Sequence, residues 1–88
     1  MHAHAYVSGT VQGVSFRYRA QAKAMKHKVN GWIRNLEDGR VELEAEGEAD
    51  AVEMLIEWCR RGPMFATVTG VEVTYGAPKG FESFDVLR

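Results

Sequence analysis

The strongest constraint on the fold is the stretch from Arg40 to Gly47, "RVELEAEG". Val41, Leu43 and Ala45 alternate without interruption with Glu42, Glu44 and Glu46. Side chains on a strand point alternately to opposite faces, so this is a strand with one apolar and one acidic face. Its apolar face must be covered by a second layer, while an antiparallel sheet can leave the other face in water. The three glutamates are accordingly expected to form a solvated face, not a carboxylate cluster for acid–base chemistry. Asp38-Gly39, just upstream, is a two-residue hairpin signal. The strand "GWIRNLE" (31–37) supplies the hairpin's other arm.

Two segments can provide the covering layer. Residues 17–28, "RYRAQAKAMKHK", are rich in helix formers and contain no Gly or Pro. Ala20, Ala24 and Met25, with Val29 just beyond, form a narrow apolar stripe, and Asn30-Gly31 are expected to end the helix. Residues 50–61, "DAVEMLIEWCRR", place Val52, Leu55, Ile56 and Cys59 on one face. Asp50 can cap this second helix, Arg60 and Arg61 suit its negative end, and Gly62-Pro63 stops it. "AYVSGTV" (5–11), "ATVTGVEVTYG" (66–76) and "FESFDVLR" (81–88) read as further strands.

The resulting order is β-α-β-β-α-β with an added C-terminal strand. Right-handed crossover places the third strand between the first and second. The expected fold is α+β, a ferredoxin-like α/β sandwich with an antiparallel sheet and two helices on one face. Residues 1–88 are expected to form one domain, since the chain is too short for two.

Composition narrows the function classes. No apolar run approaches the roughly 18 residues that cross a membrane. The N-terminus "MHAHAYVSG" lacks the layout of a signal peptide, and the single Cys59 allows no internal disulfide. A cytoplasmic protein acting as a monomer, away from membranes, is expected. Charge is unevenly placed: residues 1–36 carry +6 and residues 37–88 carry −7. Such asymmetry marks either an anion-attracting face or a solvated basic helix.

The stretch "GTVQGVSFR" (9–17) joins the first strand to the first helix. Amides at a helix start have no internal partners and carry the positive end of its dipole. Glycines let successive amides turn inward, and the Arg17 fork matches two phosphate oxygens. Loop amides plus Arg17 would hold a phosphate; a plain turn built on bulge glycines is the simpler alternative. The P-loop pattern is absent, which argues against nucleotide binding.

This stretch resembles the acylphosphatase signature G-x-V-Q-G-V-x-F-R, with matches at Gly9, Val11, Gln12, Gly13, Val14, Phe16 and Arg17. A second family motif, G-W-[VI]-x-N, is met by Gly31, Trp32, Ile33 and Asn35. "DGRVELEAEG" (38–47) and "RGP" (61–63) extend the likeness across the chain. Ser15 and Arg19 depart from the residues usual in the family; the Ser15 hydroxyl could add a contact in the loop. The resemblance implies hydrolysis of a small-molecule acyl phosphate to a carboxylate and phosphate, without cofactor or metal. It implies phosphate binding by the loop Gln12, Gly13, Val14, Ser15, Phe16 and Arg17. It also implies that Arg17 and Asn35 are catalytic, Arg17 on the phosphate and Asn35 on the attacking water.

The residue inventory agrees with that chemistry. A carboxylate leaving group, with a pKa of roughly 4, departs without being protonated. Neutralising phosphoryl charge and aiming a water are then sufficient.

Other residues have plainer readings. Trp32 and Phe16 are expected in the core, Trp58 at its edge, and Cys59 as a small core residue. His2 and His4 could share a strand face and bind a metal, but no third ligand is evident and they are expected to be solvated. His27 suits the end of the first helix. An RNA-binding module is disfavoured, because the aromatic RNP1 pattern is missing and net charge is −1. A non-catalytic anion sensor on the same scaffold is the remaining alternative.

Overall fold

A computed structural model describes residues 1–88. The strands are β1 (His2–Thr10), β2 (Asn30–Asn35), β3 (Val41–Glu46), β4 (Thr67–Gly76) and β5 (Phe84–Val86). The helices are α1 (Phe16–Lys26) and α2 (Ala49–Arg61). The sheet order is β4-β1-β3-β2-β5, so β3 lies between β1 and β2 as the crossover rule requires. β1, β2, β3 and β4 pair antiparallel, whereas β5 joins β2 in parallel. The sheet is therefore mixed, and the final strand is shorter than the alternation in "FESFDVLR" implies.

One face of the sheet carries the core. Ala3, Ala5 and Val7 of β1, Ile33 of β2 and Val41, Leu43 and Ala45 of β3 are at most 1% exposed. They pack with Phe16, Ala20 and Ala24 of α1 and Val52, Leu55, Ile56 and Cys59 of α2. Burying each large apolar side chain contributes about 1.5–3 kcal/mol. Burial pushes the Cys59 thiol up to about 12, so it is a packing residue rather than a nucleophile. Met25 lies outside this core, exposed to water. The buried stripe of α1 runs through Phe16, Ala20 and Ala24, each one turn from the next.

Three local expectations are corrected. Helix α1 ends at Lys26, and Lys28 takes the left-handed turn (φ 58°), so Asn30 and Gly31 begin β2 instead of ending the helix. Gly31 is required there, because a Cβ would collide with the Glu44 carbonyl oxygen across the ladder. Asp50 does not cap α2; Glu48 holds that position without a side-chain cap bond, and Asp50 sits in the first turn, facing the dipole. The connection around Asp38-Gly39 has three residues, not two. Gly39 N–H donates to the Leu36 carbonyl and Leu36 N–H to that of Arg40, with Gly39 at φ 95°.

The opposite face corrects the largest expectation. Glu42, Glu44 and Glu46 are buried, not solvated, at 5%, 7% and 8% exposure. Strands β1 and β2 flank β3 with donors. His4 Nε2 reaches Glu42 Oε2 at 2.7 Å, and Arg34 Nε donates to Glu42 Oε1 at 2.8 Å. His2 Nε2 reaches Glu44 Oε1 at 2.7 Å, and Trp32 Nε1 donates to Glu44 Oε2 at 3.0 Å. Trp32 thus lies on the polar face, opposite Ile33, and His2 and His4 each engage a glutamate carboxylate through Nε2. Strands β4 and β5 occupy opposite edges of the sheet, and their connection covers Glu46. The amides of Lys79, Gly80 and Phe81 donate to Glu46 at 2.8–3.0 Å, and Lys79 Nζ pairs with Glu44 at 2.8 Å. A buried carboxylate without such partners would cost several kcal/mol.

Burial pushes all three carboxyls up, but their hydrogen bonds outweigh it and hold them below the usual range. His4 and Arg34 act on Glu42, Lys79 and His2 on Glu44, and the three amides on Glu46. The unfolded chain therefore binds more protons in acid than the folded one. Stability should be level from neutral pH down to about 5, then fall as pH drops past the ordinary glutamate value of roughly 4.3 and on through the depressed folded values. Urea midpoints measured across that range should show this, with a shallower acid fall for Glu46→Gln. A midpoint unchanged down to pH of about 3 would contradict the assignment.

Candidate active site

The C-terminal ends of β1, β2 and β5 and the start of α1 meet at one end of the sheet. The loop from Val11 to Ser15 is held there by alternating contacts. Val11 and Phe16 are each 1% exposed, Val14 packs against the core, and the Phe16 ring lies 5.2 Å from that of Trp58. With these side chains turned inward, Gly13 and Ser15 are left exposed. Both take the left-handed region, at φ 73° and 62°. Glycine adopts that conformation freely; Ser15 does so at a cost of order 1 kcal/mol.

This backbone leaves donors free. No turn, loop or cap hydrogen bond uses an N–H between Gly13 and Tyr18; the first donor is Arg19, to the Ser15 carbonyl at 3.1 Å. Unpaired amides at a helix start, next to left-handed residues, form a concave site for an anion. The helix has no acidic residue in its first turn, so the positive end of its dipole is not neutralised there.

The loop borders a pocket of about 270 Å³. Gly13, Ser15 and Arg17 line one part, and Val11, Phe16, Tyr18 and Asn35 complete it. Arg17 has no acidic partner among the chain's ion pairs. Its Nη1 donates to the Leu87 carbonyl at 2.8 Å, which holds the guanidinium in place while spending one of its N–H groups. The Tyr18 ring lies 5.7 Å from the Arg17 guanidinium carbon. Asn35 ends β2 in register with Val41, on the same sheet face as Ile33. Its Oδ1 is buried and accepts no hydrogen bond within the protein. An unpaired buried acceptor of this kind costs about 1–3 kcal/mol, which a bound water relieves by donating to it.

Arg17, Gly13, Ser15, Phe16 and Asn35 therefore border one cavity. Val14 lies outside it, and Gln12 is engaged elsewhere. The Gln12 side-chain amide donates to the carbonyls of Leu36 at 2.7 Å and Arg40 at 3.0 Å. It ties the loop to the β2–β3 hairpin, one residue beyond Asn35. Sequence reasoning missed the Leu87 carbonyl, because a backbone contact 70 residues away leaves no local pattern. Tyr18 could have been found from its position beside Arg17 in the first turn of α1.

Comparison with known proteins is consistent along the whole chain. A protein-family model described as Acylphosphatase matches residues 3–86. An acylphosphatase of Methylococcus capsulatus is 54% identical over 86 residues, covering 97% of this chain and 94% of that protein. One from Gloeobacter violaceus is 49% identical over 88 residues, covering 100% and 95%. Among solved structures, an acylphosphatase from Bacillus subtilis superposes with a TM-score of 0.94 at 39% identity, covering 99% of this chain and 98% of the other. One from Coxiella burnetii gives 0.93 at 40% identity, covering 98% and 90%.

The Gln12 clamp gives this site a stability test. Gln12→Ala removes two hydrogen bonds and should cost about 1–2 kcal/mol, read as a lower urea midpoint. It should also reduce turnover, since the loop and Asn35 lose their shared anchor. An unchanged midpoint would show that the clamp does not hold loop to hairpin.

Proposed function

The chain belongs to the acylphosphatase family and is an acylphosphatase, and on that premise we propose that Arg17 and the loop amides hold the phosphoryl group while Asn35 places the attacking water. The reaction hydrolyses the carboxyl–phosphate bond of a small-molecule acyl phosphate. Water oxygen bonds to phosphorus as the bond from phosphorus to the acyl oxygen breaks. The electron pair leaves with the carboxylate, and the water's proton passes to phosphate or solvent.

The observation that carries this reading is the pairing in one pocket of an Arg17 lacking an acidic partner with a buried, unpaired Asn35 Oδ1. Arg17 supplies a planar, permanently charged fork for two phosphoryl oxygens. The amides between Gly13 and Tyr18 complete the cradle and stabilise charge in the transition state. Asn35 Oδ1 accepts one hydrogen of the water, directing the oxygen lone pair at phosphorus.

The pocket's side chains offer no carboxylate, imidazole or thiolate. This donor set does not suit a metal, and the good leaving group needs neither a metal nor a general acid. We propose that residues 1–88 act as one monomeric domain without a cofactor. The buried free thiol of Cys59 also suits the reducing cytoplasm.

Arg17→Ala should lower kcat/KM for acetyl phosphate by about a thousandfold or more. Asn35→Ala should lower kcat by about a hundredfold with KM changed much less, because the water's placement matters in the transition state. Both variants keep the core intact, so circular dichroism should match wild type. Phosphate release should persist in EDTA. Wild-type turnover by Arg17→Ala, unchanged kcat in Asn35→Ala, or metal-dependent rescue after EDTA would each contradict its part of the scheme.

A further inference from the structure

A second groove, of about 430 Å³, adjoins the phosphate pocket and shares Gly13 and Ser15 with it. Its far wall is the turn after α2, where Pro63, Met64 and Phe65 stand opposite Val14 and Arg19. Met64 and Phe65 are 89% and 79% exposed, the two most exposed large hydrophobic residues of the chain. Two adjacent apolar side chains in water on a small protein mark a contact surface more often than isolated ones do.

The turn is built to hold them there. Gly62 ends α2 at φ 71°, and Ala66 N–H donates to the Pro63 carbonyl at 3.0 Å, closing a tight turn with Met64 and Phe65 at its tip. A Cβ on Gly62 would lie 3.2 Å from Phe16 Cε2, so the turn packs directly on the residue that anchors the phosphate loop. The apolar tip therefore keeps a set position relative to the cradle. Arg19 has no acidic partner, and a guanidinium stacks on aromatic faces.

We propose that this groove is the acyl-group subsite, and that Met64 and Phe65, with Arg19, make the enzyme prefer aromatic acyl phosphates over short aliphatic ones. The inference rests on the phosphate being held by the Gly13–Arg17 loop. A phosphoryl group in the first pocket directs its acyl oxygen across Gly13 and Ser15, the residues common to both cavities. A methyl group ends near that border; a phenyl ring extends past it to the apolar turn.

The test compares benzoyl phosphate with acetyl phosphate in wild type and in the double variant Met64→Ser, Phe65→Ser. The ratio of kcat/KM for benzoyl over acetyl phosphate should fall about tenfold, mainly through KM for benzoyl phosphate, as apolar area is lost from the ring's contact. Phe65→Leu, which keeps an apolar side chain, should retain most of the ratio. A ratio within twofold of wild type overturns the subsite, whether both substrates keep their rates or lose them together. Failure of the phosphate-site reading would look different, as full activity of Arg17→Ala on both substrates.

Discussion

The structure depends on a central strand whose two faces do opposite jobs. β3 is paired on both sides, by β1 and by β2. Val41, Leu43 and Ala45 seat the two helices, while Glu42, Glu44 and Glu46 gather donors from both neighbouring strands and from the β4–β5 connection. A slip of one residue in register would turn the glutamates into the core and expose the apolar row. Buried carboxylates tolerate few arrangements of their partners, so the polar face reinforces the register that the apolar face already demands. This double specification holds the C-terminal ends of β1 and β2 at the same end of the sheet, on either side of β3.

The candidate site is a consequence of that arrangement. The loop leaving β1 and the last residue of β2 meet at one end of the sheet, and Gln12 fastens them together through the hairpin. β5, added in parallel to β2, brings the Leu87 carbonyl to the same end, where it steadies Arg17. The basic N-terminal segment supplies charge, and the loop's left-handed residues free the amides. In the proposed reaction no side chain here takes or gives a proton. On that proposal the site works by charge and aim, which is sufficient only when the leaving group is already a weak base.

Much of this was legible from the amino acids. Alternation in "RVELEAEG" located β3, the helical stripe of α2 located its buried face, and the crossover rule placed β3 inside the sheet. The loop joining β1 to α1 was recognisable because glycines, helix start and arginine are local features. The errors share a different cause. Whether Glu42 and Glu44 face water depends on Arg34 across the hairpin and on His2, His4 and Lys79, which are distant in sequence. Trp32 was expected in the core, although its position beside Ile33 put it on the other face. Asn30-Gly31 carried a genuine turn signal, but Lys28 took the left-handed turn two residues earlier. Gln12 matched a motif whose spacing does not reveal that its side chain serves the hairpin.

The central claim is that water attacks phosphorus and the carboxylate departs unprotonated. It is tested most directly by hydrolysing acetyl phosphate in water labelled with heavy oxygen and analysing both products by mass spectrometry. The account predicts label in the released phosphate and none in the acetate. Label in the acetate would mean attack at the carbonyl carbon and would contradict the roles given to Arg17 and Asn35.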